Sequence, residues 1–217
     1  MKCYLKNLLK AYLHGEFVNL QQGQTYYNFD RETNIGKVEY NPNLPIRCCI
    51  DFNVSPMACT LLQQYNESPK IRVFDTIQLH HSGGEEILTE RMAEEIKSKY
   101  KNRMYYAYPD PANQRHTSAL STDHDILKQA GFKVMVKPKA PRVTDSVNAV
   151  NKILEGEVIV DPRCNALIED LEQTTNKEGT REIDKSDKNR THFSDGFRYY
   201  VDLEFPIIKP QFGSIPR

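Results

Sequence analysis

Ile46-Arg47-Cys48-Cys49-Ile50-Asp51-Phe52 reads as a short strand that closes on a carboxylate. Turn chemistry bounds it on both sides, with Asn41-Pro42-Asn43-Leu44-Pro45 before it and Asn53 and Pro56 after it. Two further runs of strand character follow, Met57–Gln64 and Ile71–Leu79, linked by the turn-rich Tyr65-Asn66-Glu67-Ser68-Pro69. Three such runs with short connections predict an antiparallel meander.

Beyond the meander the pattern alternates. Ser82-Gly83-Gly84-Glu85-Glu86 has the make-up of a helix start, with a serine to cap and two glutamates suited to the positive end of the helix dipole. Leu88, Met92 and Ile96 then fall on one helical face. Met104–Tyr108 predicts a fourth strand, Thr117–Ala130 a helix stopped by Gly131, and Phe132–Val136 a fifth strand. Val143–Leu154 predicts a helix with Val147, Val150 and Leu154 on one side, Val158–Val160 a very short strand, and Arg163–Leu171 another helix. The polar stretch Thr174–Ile183, with Gly179 near its middle, reads as a hairpin or mobile loop, and His192–Val201 as a last helix. Three strands followed by alternating helix and strand predict a mixed α/β sheet. The order is compatible with a ribonuclease-H-like fold, in which helices cover both faces of a central sheet. Upstream, Lys2–Leu13 shows the helical spacing of Leu5, Leu8, Leu9 and Leu13. The expected organisation is a lead-in over residues 1–45, one domain over 46–205, and a proline-bearing tail over 206–217.

Composition narrows the class. With 217 residues, 39% of them hydrophobic, the chain can build a sizeable core. No apolar run approaches the roughly 20 residues that a bilayer requires, and the amino terminus lacks the features of a secretory signal. The five cysteines follow no metal spacing; adjacent Cys48 and Cys49 lie in an apolar run and read as core filling. Lys+Arg and Asp+Glu both count 29, so any nucleic-acid surface must be a local basic patch offset by acids elsewhere.

Asp51, Asp110 and Asp195 are the candidate chemical groups. Each has an ordinary local reading: an Asx-turn for Asp51, a Pro-Asp-Pro turn for Asp110, and a helix-start acid with Thr191 or Ser194 as cap for Asp195. As a set they read differently. Two strand ends and one helix, each giving a carboxylate, suit hard divalent ions, and two such ions serve phosphodiester hydrolysis. This requires the first and fourth strands to be neighbours, with the last helix crossing their ends. His192 lies three residues before Asp195 and can position water or phosphate from the same helix face. Asp145 can cap its helix or orient a metal ligand. Two basic clusters are candidates for holding DNA: Lys133, Lys137, Lys139 and Arg142, and Lys177, Arg181, Lys185, Lys188 and Arg190. The second leads directly into Asp195.

With these residues in place, the chain resembles the carboxy-terminal nuclease domain of the large terminase subunit of tailed bacteriophages. The resemblance runs from about Tyr12 to about Val201. It is carried by Leu13-His14-Gly15-Glu16-Phe17, Tyr26-Tyr27-Asn28-Phe29-Asp30, Ile50-Asp51-Phe52-Asn53 and Asp110-Pro111-Ala112-Asn113. Thr144-Asp145-Ser146-Val147-Asn148-Ala149-Val150-Asn151, Asp161-Pro162-Arg163-Cys164 with Leu167-Ile168, and His192-Phe193-Ser194-Asp195-Gly196-Phe197-Arg198-Tyr199 complete the series. The resemblance implies a ribonuclease-H-like, metal-dependent endonuclease that cuts concatemeric double-stranded viral DNA. Asp51, Asp110 and Asp195 would be its catalytic acids, holding two Mg2+ or Mn2+ ions. It also implies a packaging ATPase domain, a portal and a small terminase subunit as partners, no membrane, and the host cytoplasm as the place of action. The chain carries no Gly-x-x-x-x-Gly-Lys-[Ser/Thr] phosphate loop, so ATP hydrolysis is not expected of it. Two departures stand out. The family's last motif tends to read Asp-Ala-Leu-Arg-Tyr, where Gly196 and Phe197 stand here, and glycine lowers helix propensity. The first motif often has glycine where this chain has Asn53, which bears on turn geometry but leaves the carboxylate intact.

Two rival readings share the same residues. A transposase or resolvase on a similar fold would keep the acidic cluster and prefer end-specific or branched DNA. A non-catalytic module docking on DNA or a portal would use the acids only to cap and turn.

Overall fold

In this computed structural model, residues 23–53, 55–83, 87–111 and 122–207 are described. The expected helix over Lys2–Leu13, the Leu13–Phe17 motif, Glu85, Glu86, Ala112, Asn113 and the tail prolines Pro210 and Pro216 lie outside them.

Six strands form one mixed sheet: β1 (Ile46–Asp51), β2 (Met57–Gln64), β3 (Ile71–Leu79), β4 (Tyr105–Pro109), β5 (Lys133–Val134) and β6 (Val158–Val160). Their spatial order is β5-β4-β1-β2-β3-β6. The meander is present, with β2 antiparallel to both β1 and β3. The remaining pairings, β1 with β4, β4 with β5 and β3 with β6, are parallel. Among the described residues six helices accompany the sheet: α1 (Arg31–Asn34), α2 (Leu88–Lys99), α3 (Asp123–Gln129), α4 (Val143–Ile153), α5 (Asn165–Gln173) and α6 (His192–Glu204). The molecule is a mixed α/β sheet with a ribonuclease-H-like arrangement.

Strand alternation divides the core into two layers. Cys49, Ala58, Leu62, Val73 and Tyr108 face α4, α5 and α6. Ile46, Cys48, Ile50, Cys59 and Leu61 face α2 and α3. Both faces are covered, which is why β2 reads as a near-continuous buried run rather than an alternating one. Between Leu61 and Leu62 the register with β3 shifts, from Leu61 opposite Asp75 to Leu62 opposite Val73, so Phe74 is the extra residue on β3. Cys48, Cys49, Cys59 and Cys164 are free, buried thiols that fill these layers.

Several elements start differently from expectation. Helix α2 begins at Leu88 with Ile87 as its N-cap and no side-chain cap, so Ser82 is not its capping residue. Leu88, Met92 and Ile96 are its buried stripe, as their spacing predicts. Helix α3 begins at Asp123 because Thr122 and Asp125 form a capping box there. Gly131 follows it at φ +89°, the left-handed conformation that ends a helix. Thr174–Ile183 folds back on itself, with Asn176 bridged to Ile183 and Lys177 N donating to Glu182 O.

From Thr25 onward, part of the expected lead-in is tied to the sheet layer. Tyr26 and Phe29 are in the core, Asn34 Nδ2 donates to the carbonyls of Leu154 and Val158, and Val38 N donates to Asp161 Oδ2. Among the described residues no helix is long and apolar enough to cross a membrane.

Candidate active site

The parallel pairing of β1 with β4 puts two carboxylates side by side. Ile50 pairs with Pro109, so Asp51 and Asp110 leave adjacent strands at the same level. Asp51 shares the side of β1 occupied by Cys49, which faces α6. Helix α6 lies across this end of the sheet and brings Asp195 in its first turn. Asp51, Asp110 and Asp195 all line one open cleft of about 430 Å³. Asn53, Lys185, Lys188, Arg190, His192 and Tyr199 share its walls.

Three devices fix α6 in this position. At Gly196, a Cβ would stand 2.8 Å from Cys49 O and 3.1 Å from Cys49 C. Glycine therefore lets the helix touch the backbone of β1, a contact that helix propensity alone does not reveal. At the amino end the cap comes from another helix: Asp170 of α5 accepts hydrogen bonds from Thr191 N (3.0 Å), Phe193 N (2.9 Å) and Ser194 N (3.1 Å). Neither Thr191 nor Ser194 caps through its side chain to a helix-start amide; Thr191 is the N-cap residue but sits at φ +74° without a side-chain cap bond, and Ser194 Oγ donates to Thr191 O. Burial pushes Asp170 up to about 6, against the three amides that favour its charged form. At the carboxy end, Tyr108 Oη donates to Glu204 Oε1 at 2.7 Å, and its ring meets Tyr200 edge-on.

The carboxylates carry different partners. Asp195 is almost fully buried; its Oδ1 accepts from Arg198 Nη2 at 2.7 Å and its Oδ2 from Lys185 Nζ at 2.6 Å. Arg198 is itself buried and donates to Ser146 Oγ at 2.8 Å. Burial alone would raise Asp195, but Arg198 and Lys185 outweigh it and hold the carboxyl below the usual range. Asp51 is raised, first by burial and further by the charge of Asp195, while His192 opposes the rise. His192 Nε2 donates to Lys188 O at 2.8 Å, and Nδ1 faces Asp51 Oδ2 at 3.1 Å and Asn53 Nδ2 at 3.0 Å. The bond to Asp51 is the main cause of an upward shift of His192. Among the described residues no three His, Cys, Asp or Glu side chains already stand as a metal-binding group. The oxygens of Asp195 and Asp51 are turned instead toward Lys185, Arg198 and His192.

The other sequence candidates have varied placements. Asp145 is in the first turn of α4 and outside the cleft lining; its neighbour Ser146 is the residue that reaches the site, through Arg198. Lys137 is committed to Asp202, by an ion pair and by a bond to the Asp202 carbonyl. Lys139 and Arg142 are outside the cleft lining; Lys139 is exposed and Arg142 is at the start of α4. Lys188 and Arg190 line the cleft, but Arg190 is paired with Glu169 (3.0 Å) and Asp187 (3.4 Å). Lys185 is on Asp195 rather than free for phosphate. Pattern does not single out Asp170 and Arg198, since a cap that arrives from another helix and a buried guanidinium leave no local signature. Only the Arg-Tyr pair after Asp195 points toward the second.

Comparison with known proteins agrees with this fold. The family described as "Terminase RNaseH-like domain" matches residues 49–197. The large terminase of a thermophilic bacteriophage superposes with a TM-score of 0.62 at 20% identity, over 93% of this chain and 50% of that one. The P22 large terminase nuclease domain gives 0.61 at 14% identity, over 83% and 93%. The nuclease domain of the bacteriophage SPP1 large terminase, solved with bound Mn, gives 0.53 at 19% identity, over 76% and 93%. At these identities the likeness establishes the fold. The chain spans about half the length of the thermophilic phage's terminase. No curated protein matches it in sequence.

Proposed function

The chain belongs to the terminase RNaseH-like domain family, and from that membership we propose that it is a metal-dependent DNA endonuclease acting in viral genome packaging. One observation carries the reading: the parallel register of β1 and β4 and the crossing of α6 bring Asp51, Asp110 and Asp195 onto a single cleft. The donors suit the chemistry. All three are carboxylates, which favour Mg2+ and Mn2+; burial raises Asp51 most and the charge of Asp195 adds to it, and a divalent cation between such groups relieves both. Asp51, Asp110 and Asp195 would hold the ions. Two bound ions supply activation of the attacking water and stabilisation of the leaving oxygen.

The chain's own residues do the rest. Arg198 fixes the carboxylate plane of Asp195 and Asp170 fixes the helix that bears it. His192, anchored on Lys188 O, orients Asp51. Lys188 on the cleft wall, with Lys139 and Arg142 outside it, neutralises backbone phosphates without reading bases. The substrate in this reading is concatemeric double-stranded DNA. The partners are a packaging ATPase domain, the portal and the small terminase subunit, in the cytoplasm of the infected host.

Asp51→Asn is the cleaner test, because its buried partner His192 can turn neutral when the charge is lost, whereas Asp195→Asn leaves the permanently charged Arg198 buried without a counter-ion. Plasmid nicking in Mn2+ should fall at least about a hundredfold in Asp51→Asn while circular dichroism stays native, a loss typical of a group that stabilises the transition state directly. Wild-type-like nicking by this variant removes Asp51 from the mechanism. DNA binding without Mn2+-dependent cleavage by the wild type would favour a docking module, and preference for branched over linear DNA a resolvase.

A further inference from the structure

Both oxygens of Asp195 are held by cations of the chain, and the two cations are not equivalent. The Arg198 side chain is 4% exposed and is fixed a second time by Ser146. The Lys185 side chain is 59% exposed and reaches in from the connection between α5 and α6. A buried guanidinium with two partners cannot leave without stranding charge. An ammonium that is 59% exposed on a flexible stem regains water as it leaves, so what opposes its departure is chiefly the buried Asp195 oxygen that it uncovers.

We propose that Lys185 stands where a divalent ion binds and is exchanged for it. Oδ2 of Asp195 becomes available to a metal only when Lys185 departs, while Oδ1 stays on Arg198. This rests on the metal-dependent reading above. The exchange makes Lys185 a determinant of metal affinity: without it Oδ2 is unpaired, Asp195 keeps only Arg198, and an incoming ion meets no competitor at Oδ2. The displaced ammonium stays beside Lys188 on the same cleft wall, where a substrate phosphate meets it. The cation that holds Oδ2 in the metal-free chain is thereby released toward DNA once a metal binds.

Mn2+ titration of the whole chain without DNA, followed by calorimetry, tests this apart from catalysis. Lys185→Met should bind Mn2+ about two- to fivefold more tightly than wild type, since the ion no longer displaces a pair whose lysine is solvent-exposed. Lys185→Arg, whose planar fork grips a carboxylate through two bonds, should bind no more tightly than wild type. Asp51→Asn should bind at least about tenfold more weakly than wild type. If Lys185→Met binds equally or more weakly while Asp51→Asn is impaired, the exchange is wrong and the metal reading stands. If wild type and Lys185→Met both fail to bind Mn2+, the metal reading fails and the exchange fails with it.

Discussion

Arg198 serves Asp195 in a way a lysine cannot. Its Nη2 meets the carboxylate while its Nη1 meets Ser146, so the planar group fixes both the position and the rotation of Asp195. A lysine offers one point charge and loses one of these contacts. Arg198→Lys should therefore retain most of the fold but weaken Mn2+ binding and nicking together. Arg198→Ala should cost about 3–5 kcal/mol in urea unfolding, because it strands a buried carboxylate. Equal stability of the alanine variant and wild type would mean that Lys185 alone neutralises Asp195. The residues that close apolar runs, Asp51, Asp110 and Asp195, were legible in the sequence because a carboxylate at a strand end or helix start interrupts a hydrophobic pattern. Lys185 was legible as a cation but not in its role. Which anion it meets depends on a fold-back of ten residues that no local pattern encodes.

At the scale of elements, the last helix illustrates what local reading misses. Its residues predict a helix from His192, and it forms there. Local pattern points to a cap within the segment, whereas the cap is a carboxylate more than twenty residues earlier, on α5. Glycine at 196 reads as a weakness and is instead the point of contact with β1. Capping across helices has a consequence for pH. Asp170 is raised to about 6 in the folded chain against roughly 3.9 in an unfolded one. The native state then holds its proton more tightly, so the stabilisation is fully present below about 3.9 and is lost as pH rises through about 6. Wild type should accordingly be less stable at pH 8 than at pH 5 by about 1–2 kcal/mol from this group. Asp170→Asn should lose that difference, since an amide does not titrate. Urea unfolding of both proteins at the two pH values measures it. An unchanged pH slope in Asp170→Asn would place the titration elsewhere.

For the whole molecule, the strand order decides what sequence could and could not show. The meander was legible from short turns, and the alternation after it from helix-length patterns. That β4 pairs with β1, placing two carboxylates at one level, was required by the chemistry rather than read from the residues. The charge balance follows the same division. Equal numbers of acids and bases predict a weak general attraction for DNA, and the fold reduces it further by committing cations to internal pairs: Lys137 to Asp202, Arg190 to Glu169 and Asp187, Lys185 to Asp195. Of Lys137, Lys139, Arg142, Lys185, Lys188 and Arg190 in the two basic clusters, these pairs leave Lys139, Arg142 and Lys188 for phosphates. With each neutralised phosphate adding about −0.9 to the slope of log K against log salt, three contacts give about −3. Metal-free chain on a short duplex should show that shallow slope in fluorescence anisotropy, and Mn2+ should steepen it by about one as Lys185 joins the surface. Catalysis is kept out of the measurement by a cleavage-resistant phosphorothioate duplex, which leaves all three carboxylates and the Lys185–Asp195 contact in place. A metal-free slope steeper than about −5 would mean that the internal pairs open on DNA and that the neutral surface conceals a larger basic one.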